Sequence, residues 1–159
     1  MIISDIVISA IMASIVHQIA SKEGCVISIM LGNIAFDKIL EISDEICKMS
    51  RNIWENPEGP YHEYIASSTC ADFLEKEGFQ VERGCYGLPT ALRASWGSGH
   101  PVIGFLGEYD ALPGQSQKDV SHKEPVKVGD YGHGCGHNLL AVGMAGSAVA
   151  IKQEMKKNG

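Results

Sequence analysis

Ten residues constrain this chain more than any others: Tyr131 to Leu140, reading YGHGCGHNLL. Gly132, Gly134 and Gly136 alternate with His133, Cys135 and His137. Glycine at that density weakens both a helix interior and a strand. The stretch therefore reads as a tight loop. An apolar, small-residue run from Leu139 to Ile151 follows at once, with Gly143, Ala145, Gly146, Ala148 and Ala150 inside it. It predicts a helix over Asn138 to Lys157, whose small side chains let it press closely on a sheet. The tail from Lys152 to Lys157 reads as solvated and basic, which suits a helix C-terminus.

Upstream, Asn33 to Asn52 predicts a helix. Ile34, Phe36, Ile39, Leu40, Ile42, Ile46 and Met49 give it a broad apolar face. Trp54 to Pro60 stops it, because two prolines and a glycine cannot continue a helix. Tyr61 to Gly78 predicts a second helix, with Tyr64, Ile65, Cys70, Phe73 and Leu74 on its core face and Gly78 as a C-terminal stop. After Gly78 the period changes. Phe79 to Arg83 and Thr90 to Trp96 alternate like strands. Pro101 to Gly107 is apolar throughout, as a strand buried on both faces would be. Gly114 to Tyr131 is polar and reads as a long exposed loop. Helix, helix, three strands, loop and helix make an α/β or α+β layer rather than a repeat array.

The chain has 159 residues and a net charge of −6, so no basic field argues for nucleic acid. Its five cysteines, Cys25, Cys47, Cys70, Cys85 and Cys135, are scattered and odd in number. That pattern fits free thiols in a reducing, cytoplasmic setting better than a disulfide framework. The apolar run Ile6 to Val16 is too short for a membrane span and lacks the basic flank of a signal peptide. Residues 1–32 are expected to be an extension outside the main pattern, with residues 33–159 forming the domain.

Cys135 and His137 carry the chemistry that stands out. Residues i and i+2 of an extended segment point to one side, so sulfur and nitrogen can meet one ion. A helix beginning just after them favours a thiolate, and a borderline metal such as zinc accepts both donors. The alternative is a glycine-rich turn with a buried thiol and a surface histidine. Asp110 lies past the apolar strand, where open α/β sheets place their ligand sites. It is suited to ligate the metal or to orient a ligating histidine, or else it is a turn aspartate before Pro113. Glu108 is more ambiguous, and His133 reads as a substrate contact or a loop histidine. A phosphate-cradling loop fails on spacing. A thiol enzyme built on Cys135 lacks a resolving cysteine or a well-placed base.

Three blocks resemble one family. Ile53 to Glu58 is similar to the W-x-x-P-E end of the first helix in the M20 metallopeptidases. Val102 to Gln117, VIGFLGEYDALPGQSQ, resembles the strand and loop bearing their active-site aspartate. Gly132 to Leu140, GHGCGHNLL, resembles their metal loop. The likeness points to the amidohydrolase branch that includes aminobenzoyl-glutamate hydrolases. It implies the N-terminal part of a zinc-exopeptidase-like catalytic domain, a mixed sheet flanked by helices. Carried over, Cys135 and His137 are metal ligands and Asp110 is the active-site aspartate. The implied cofactor is a divalent ion, zinc or manganese, and the implied reaction is hydrolysis of an amide in N-acyl-amino acids, aminobenzoyl-glutamate or dipeptides. Asn138 stands where many members have Asp. Family members are several hundred residues long, with a later general-base glutamate, further ligands and a dimerising second domain. The chain is thus expected to be an incomplete enzyme, inactive alone and poorly soluble. The alternative expectation is a non-catalytic remnant or binding module.

Overall fold

The computed structural model describes residues 33–158; the expected extension over residues 1–32 lies outside them. Three helices, α1 (Asn33–Glu55), α2 (Tyr64–Lys76) and α3 (His137–Asn158), enclose the core. Between α2 and α3 the strands β1 (Gln80–Arg83) and β2 (Leu92–Ser95) form an antiparallel pair, with Val81 opposite Ala94. No helix among the described residues is long and apolar enough to cross a membrane.

The apolar stripe of α1 is narrower than its composition suggests. Ile39, Ile42, Ile46, Met49 and Ile53 recur at helical spacing and pack inward, while Phe36 and Leu40 are exposed. Cys70, Phe73 and Leu74 of α2 meet that stripe, with Ala141, Val142, Ala145 and Val149 of α3. Tyr64 and Ile65, expected on the core face of α2, are exposed. The small residues of α3 bring it close to a helix, α1, where a sheet was expected. A Cβ on Gly146 would stand 2.6 Å from Ile46 Cδ1. The expectation of a wholly solvated α3 tail is wrong at Lys152. This residue is buried, its Nζ donates to the Glu77 carbonyl and it lies 4.9 Å from the Phe79 ring centre. Its stem covers apolar surface while its charge finds acceptor and ring, although burial pushes its pKa down.

Gly78 ends α2 as expected. Its φ is +80°, and the Phe79 amide reaches back to the Leu74 carbonyl at 2.9 Å, closing the last turn. The start of α2 is capped from a distance. Glu58 accepts from the Ile65 amide at 2.9 Å and from the Ala66 amide at 3.1 Å, two donors that the first turn leaves unpaired. Glu58→Ala is expected to lower stability by about 1–2 kcal/mol. Glu58→Gln keeps an acceptor and should lose less. Thermal unfolding of the two variants checks the order.

Pro101 to Gly107 corrects the third-strand expectation. The segment is not paired with β2, and Val102 and Leu106 are 78% and 67% exposed. A strand buried on both faces needs a ladder neighbour and two covering layers. The described residues offer helices and one short hairpin. The segment stands off and leaves a trough of about 1020 Å³ bordered by β2, itself and α3. It rejoins α3 at Gly107, where a Cβ would stand 3.0 Å from Met144 Cγ.

Candidate metal centre

The segment after the trough turns its side chains alternately. Tyr109 points inward, packs against the core and donates its hydroxyl hydrogen to the Thr90 carbonyl. Glu108 and Asp110 both reach His137 on the other side. Ala111 follows, fully buried, its amide donating to the Glu58 carbonyl at 2.7 Å. Leu112 and Gly132 then exchange two backbone hydrogen bonds of 3.0 Å, which bring the ends of the long loop together. Between them the loop is largely exposed, as its composition predicts.

This bridge delivers the glycine-rich stretch to Asp110. Gly136, at φ +76°, accepts from the Leu140 amide at 3.1 Å and so opens α3, with His137 as its first residue. His137 Nδ1 lies 2.8 Å from Asp110 Oδ1 and 3.0 Å from the Asp110 carbonyl oxygen. A carbonyl only accepts, so Nδ1 carries a hydrogen and Asp110 fixes the ring's orientation. Nε2 lies 3.1 Å from Glu108 Oε2. One ligand atom each from Glu108, Asp110 and His137 falls within 4.8 Å of the others. The His137 side chain is 12% exposed, so the ring is held but reachable.

Cys135 is exposed and does not join that trio. The buried-thiol alternative is therefore set aside. Burial instead marks Cys70, whose thiol pKa is pushed up to about 12, and Cys85. Brief alkylation of the folded chain near pH 8 should label Cys47 and Cys135 and spare Cys70 and Cys85 until denaturant is added. Peptide mass mapping reads this out, and equal labelling of all four would contradict the packing.

His133 turns away from solvent. Its Nε2–H donates to the Ile53 carbonyl at 3.2 Å, while Nδ1 is buried without a partner. Burial pushes its pKa below the ordinary histidine value. Asn138 is buried, and its Nδ2 donates to Ser50 Oγ of α1 at 3.0 Å, so its amide joins two helices. Three contacts escaped the sequence reading: Glu108 beside His137, Glu58 beneath the site, and Ser50 on Asn138. Only the first had a signal. Period-two alternation through Glu108, Tyr109 and Asp110 puts the two acids on one side.

Helices packed on a β-hairpin thus carry an acid–imidazole cluster at a helix start. The chain belongs to the M20 family of peptidases and amidohydrolases. It is 43% identical over 108 residues to a subunit of the p-aminobenzoyl-glutamate hydrolase of Escherichia coli K12, covering 67% of this chain and 22% of the relative. It is 36% identical over 119 residues to thermostable carboxypeptidase 2 of Saccharolobus solfataricus, covering 73% and 30%. It is 34% identical over 125 residues to the human Xaa-Arg dipeptidase, covering 70% and 25%. The chain thus spans less than a third of the length of these curated relatives. No protein-family model matches it.

Proposed function

We propose that this chain carries part of the divalent-metal site of an amide-cleaving hydrolase. In this reading Cys135 and His137 are metal ligands and Asp110 is the supporting active-site aspartate. The substrates are small amides: N-acyl-amino acids, aminobenzoyl-glutamate or dipeptides. The names of the relatives support that class, and the geometry around His137 is the observation that carries it. Asp110 holds the Nδ1 hydrogen, which leaves Nε2 as the ring nitrogen that faces the cluster and can ligate an ion. A soft thiolate, a borderline imidazole and hard carboxylates suit zinc or manganese. The bound ion would polarise the amide carbonyl and activate water.

The surrounding fold is read as the N-terminal part of a zinc-exopeptidase-like domain whose mixed sheet continues beyond β2. Proton transfer from water to the leaving amine falls to a glutamate outside the described residues. The 159-residue chain alone is therefore inactive in this proposal. Dimerisation and a cytoplasmic setting belong to the same reading. The four described cysteines are unpaired, which suits a reducing compartment.

Metal analysis by mass spectrometry tests the proposal. The purified chain is expected to retain zinc or manganese, and the Cys135→Ser/His137→Ala double variant to lose at least about tenfold of it. Equal, negligible metal in both would sink the metal-site reading. Hydrolysis of an N-acyl-amino acid by the isolated chain would overturn the claim that it is inactive alone.

A further inference from the structure

We propose that Glu108 supplies a further protein ligand to the ion at His137, beside Cys135. The inference rests on reading the loop as a metal centre, and it starts from the contacts of one ring. His137 Nδ1 faces two oxygens of Asp110, one of them a carbonyl, so its hydrogen is committed there. Nε2 is the ring nitrogen left for another partner, and it faces the Glu108 carboxylate at 3.1 Å. One ligand atom each from Glu108, Asp110 and His137 falls within 4.8 Å of the others, so a divalent ion can take the imidazole and the Glu108 carboxylate together.

The other acids around the site are already engaged. Glu58 spends its carboxylate on the Ile65 and Ala66 amides. Glu63 accepts from the Tyr61 amide and the Thr90 hydroxyl. Asp110 accepts from Nδ1. The Glu108 carboxylate meets nothing but His137 among the described residues, and its side chain is 61% exposed. It reaches an ion without breaking an existing bond. Its backbone is also fixed, since Tyr109 is anchored at Thr90 and Ala111 at Glu58. A hard carboxylate added to thiolate and imidazole shifts the donor set toward ions that tolerate mixed ligands, such as zinc and manganese.

The test titrates Zn²⁺ into the metal-stripped full chain against a chromophoric chelator. The parent, Glu108→Gln and the Cys135→Ser/His137→Ala double variant are compared, with circular dichroism to check folding. Glu108→Gln is expected to weaken zinc binding by about tenfold or more. In the Co²⁺-loaded chain it should alter the visible d–d bands, which follow coordination geometry. The near-ultraviolet thiolate-to-cobalt band from Cys135 should persist. Zinc affinity and cobalt spectra indistinguishable from the parent would overturn the Glu108 proposal and leave Glu108 as an ion-pair partner. If the double variant alone loses metal, the metal centre stands without Glu108. If the parent itself takes up no zinc, both readings fall together.

Discussion

Ile53→Ala is expected to lower the unfolding free energy by about 3–4 kcal/mol. Ile53 is 0% exposed and lies in the cluster that α1, α2 and α3 share. Truncation removes three carbons from a packed interior and leaves a cavity in the core the three helices share. The loss would consume a large share of the stability of an ordinary domain. Urea unfolding followed by circular dichroism measures it. Ile53→Val removes one carbon and should cost only about 1 kcal/mol. A loss below that level for Ile53→Ala would mean that the three helices pack more loosely than described.

Gly132→Ala has the second large effect, for a different reason. A Cβ at position 132 would stand 1.9 Å from the Gln115 carbonyl oxygen and 2.8 Å from the Ser116 nitrogen. These are backbone atoms, not the end of a side chain that can swing away. Gly132 is also tied to Leu112 in both directions. The bridge must open or the loop must move, at about 3 kcal/mol or more. Either change loosens the stretch that carries Cys135 and His137. Thermal unfolding should show the lost stability, and zinc titration should show weaker binding. Gly136→Ala is the control. It meets open space, and its cost is the left-handed backbone alone, about 1–2 kcal/mol. A Gly132→Ala chain no less stable than Gly136→Ala would refute the steric argument.

The helices were legible because their period and their stops are local. Asn33 begins α1, Pro57 lies just past its end, and Gly78 closes α2. The hairpin was legible for the same reason, and β1 and β2 fall inside the expected strands. Pro101 to Gly107 was not. Its apolar run states what it would bury against, but burial depends on layers that the run does not encode. Likewise, Phe36 and Leu40 fit the apolar face of α1 by composition, yet only one stripe of that face meets α3. At the site, the meeting of Asp110 with His137 followed from reading Asp110 as a carboxylate suited to orient a ligating histidine. The exposed position of Cys135 outside the trio did not. The placing of Lys152 under two aromatic rings was hidden too, because a lysine in a basic tail carries no sign of burial.

Glu58 serves two masters. Its carboxylate closes the first turn of α2, and its carbonyl holds Ala111, the residue next to Asp110. A fluctuation that frays that turn pulls on the same residue that steadies the site. The amides of Ile65, Ala66 and Ala111 therefore belong to one opening unit, though 46 positions separate the first from the last. The assembled site then depends on a helix end beneath it as well as on Glu108, Asp110 and His137 themselves.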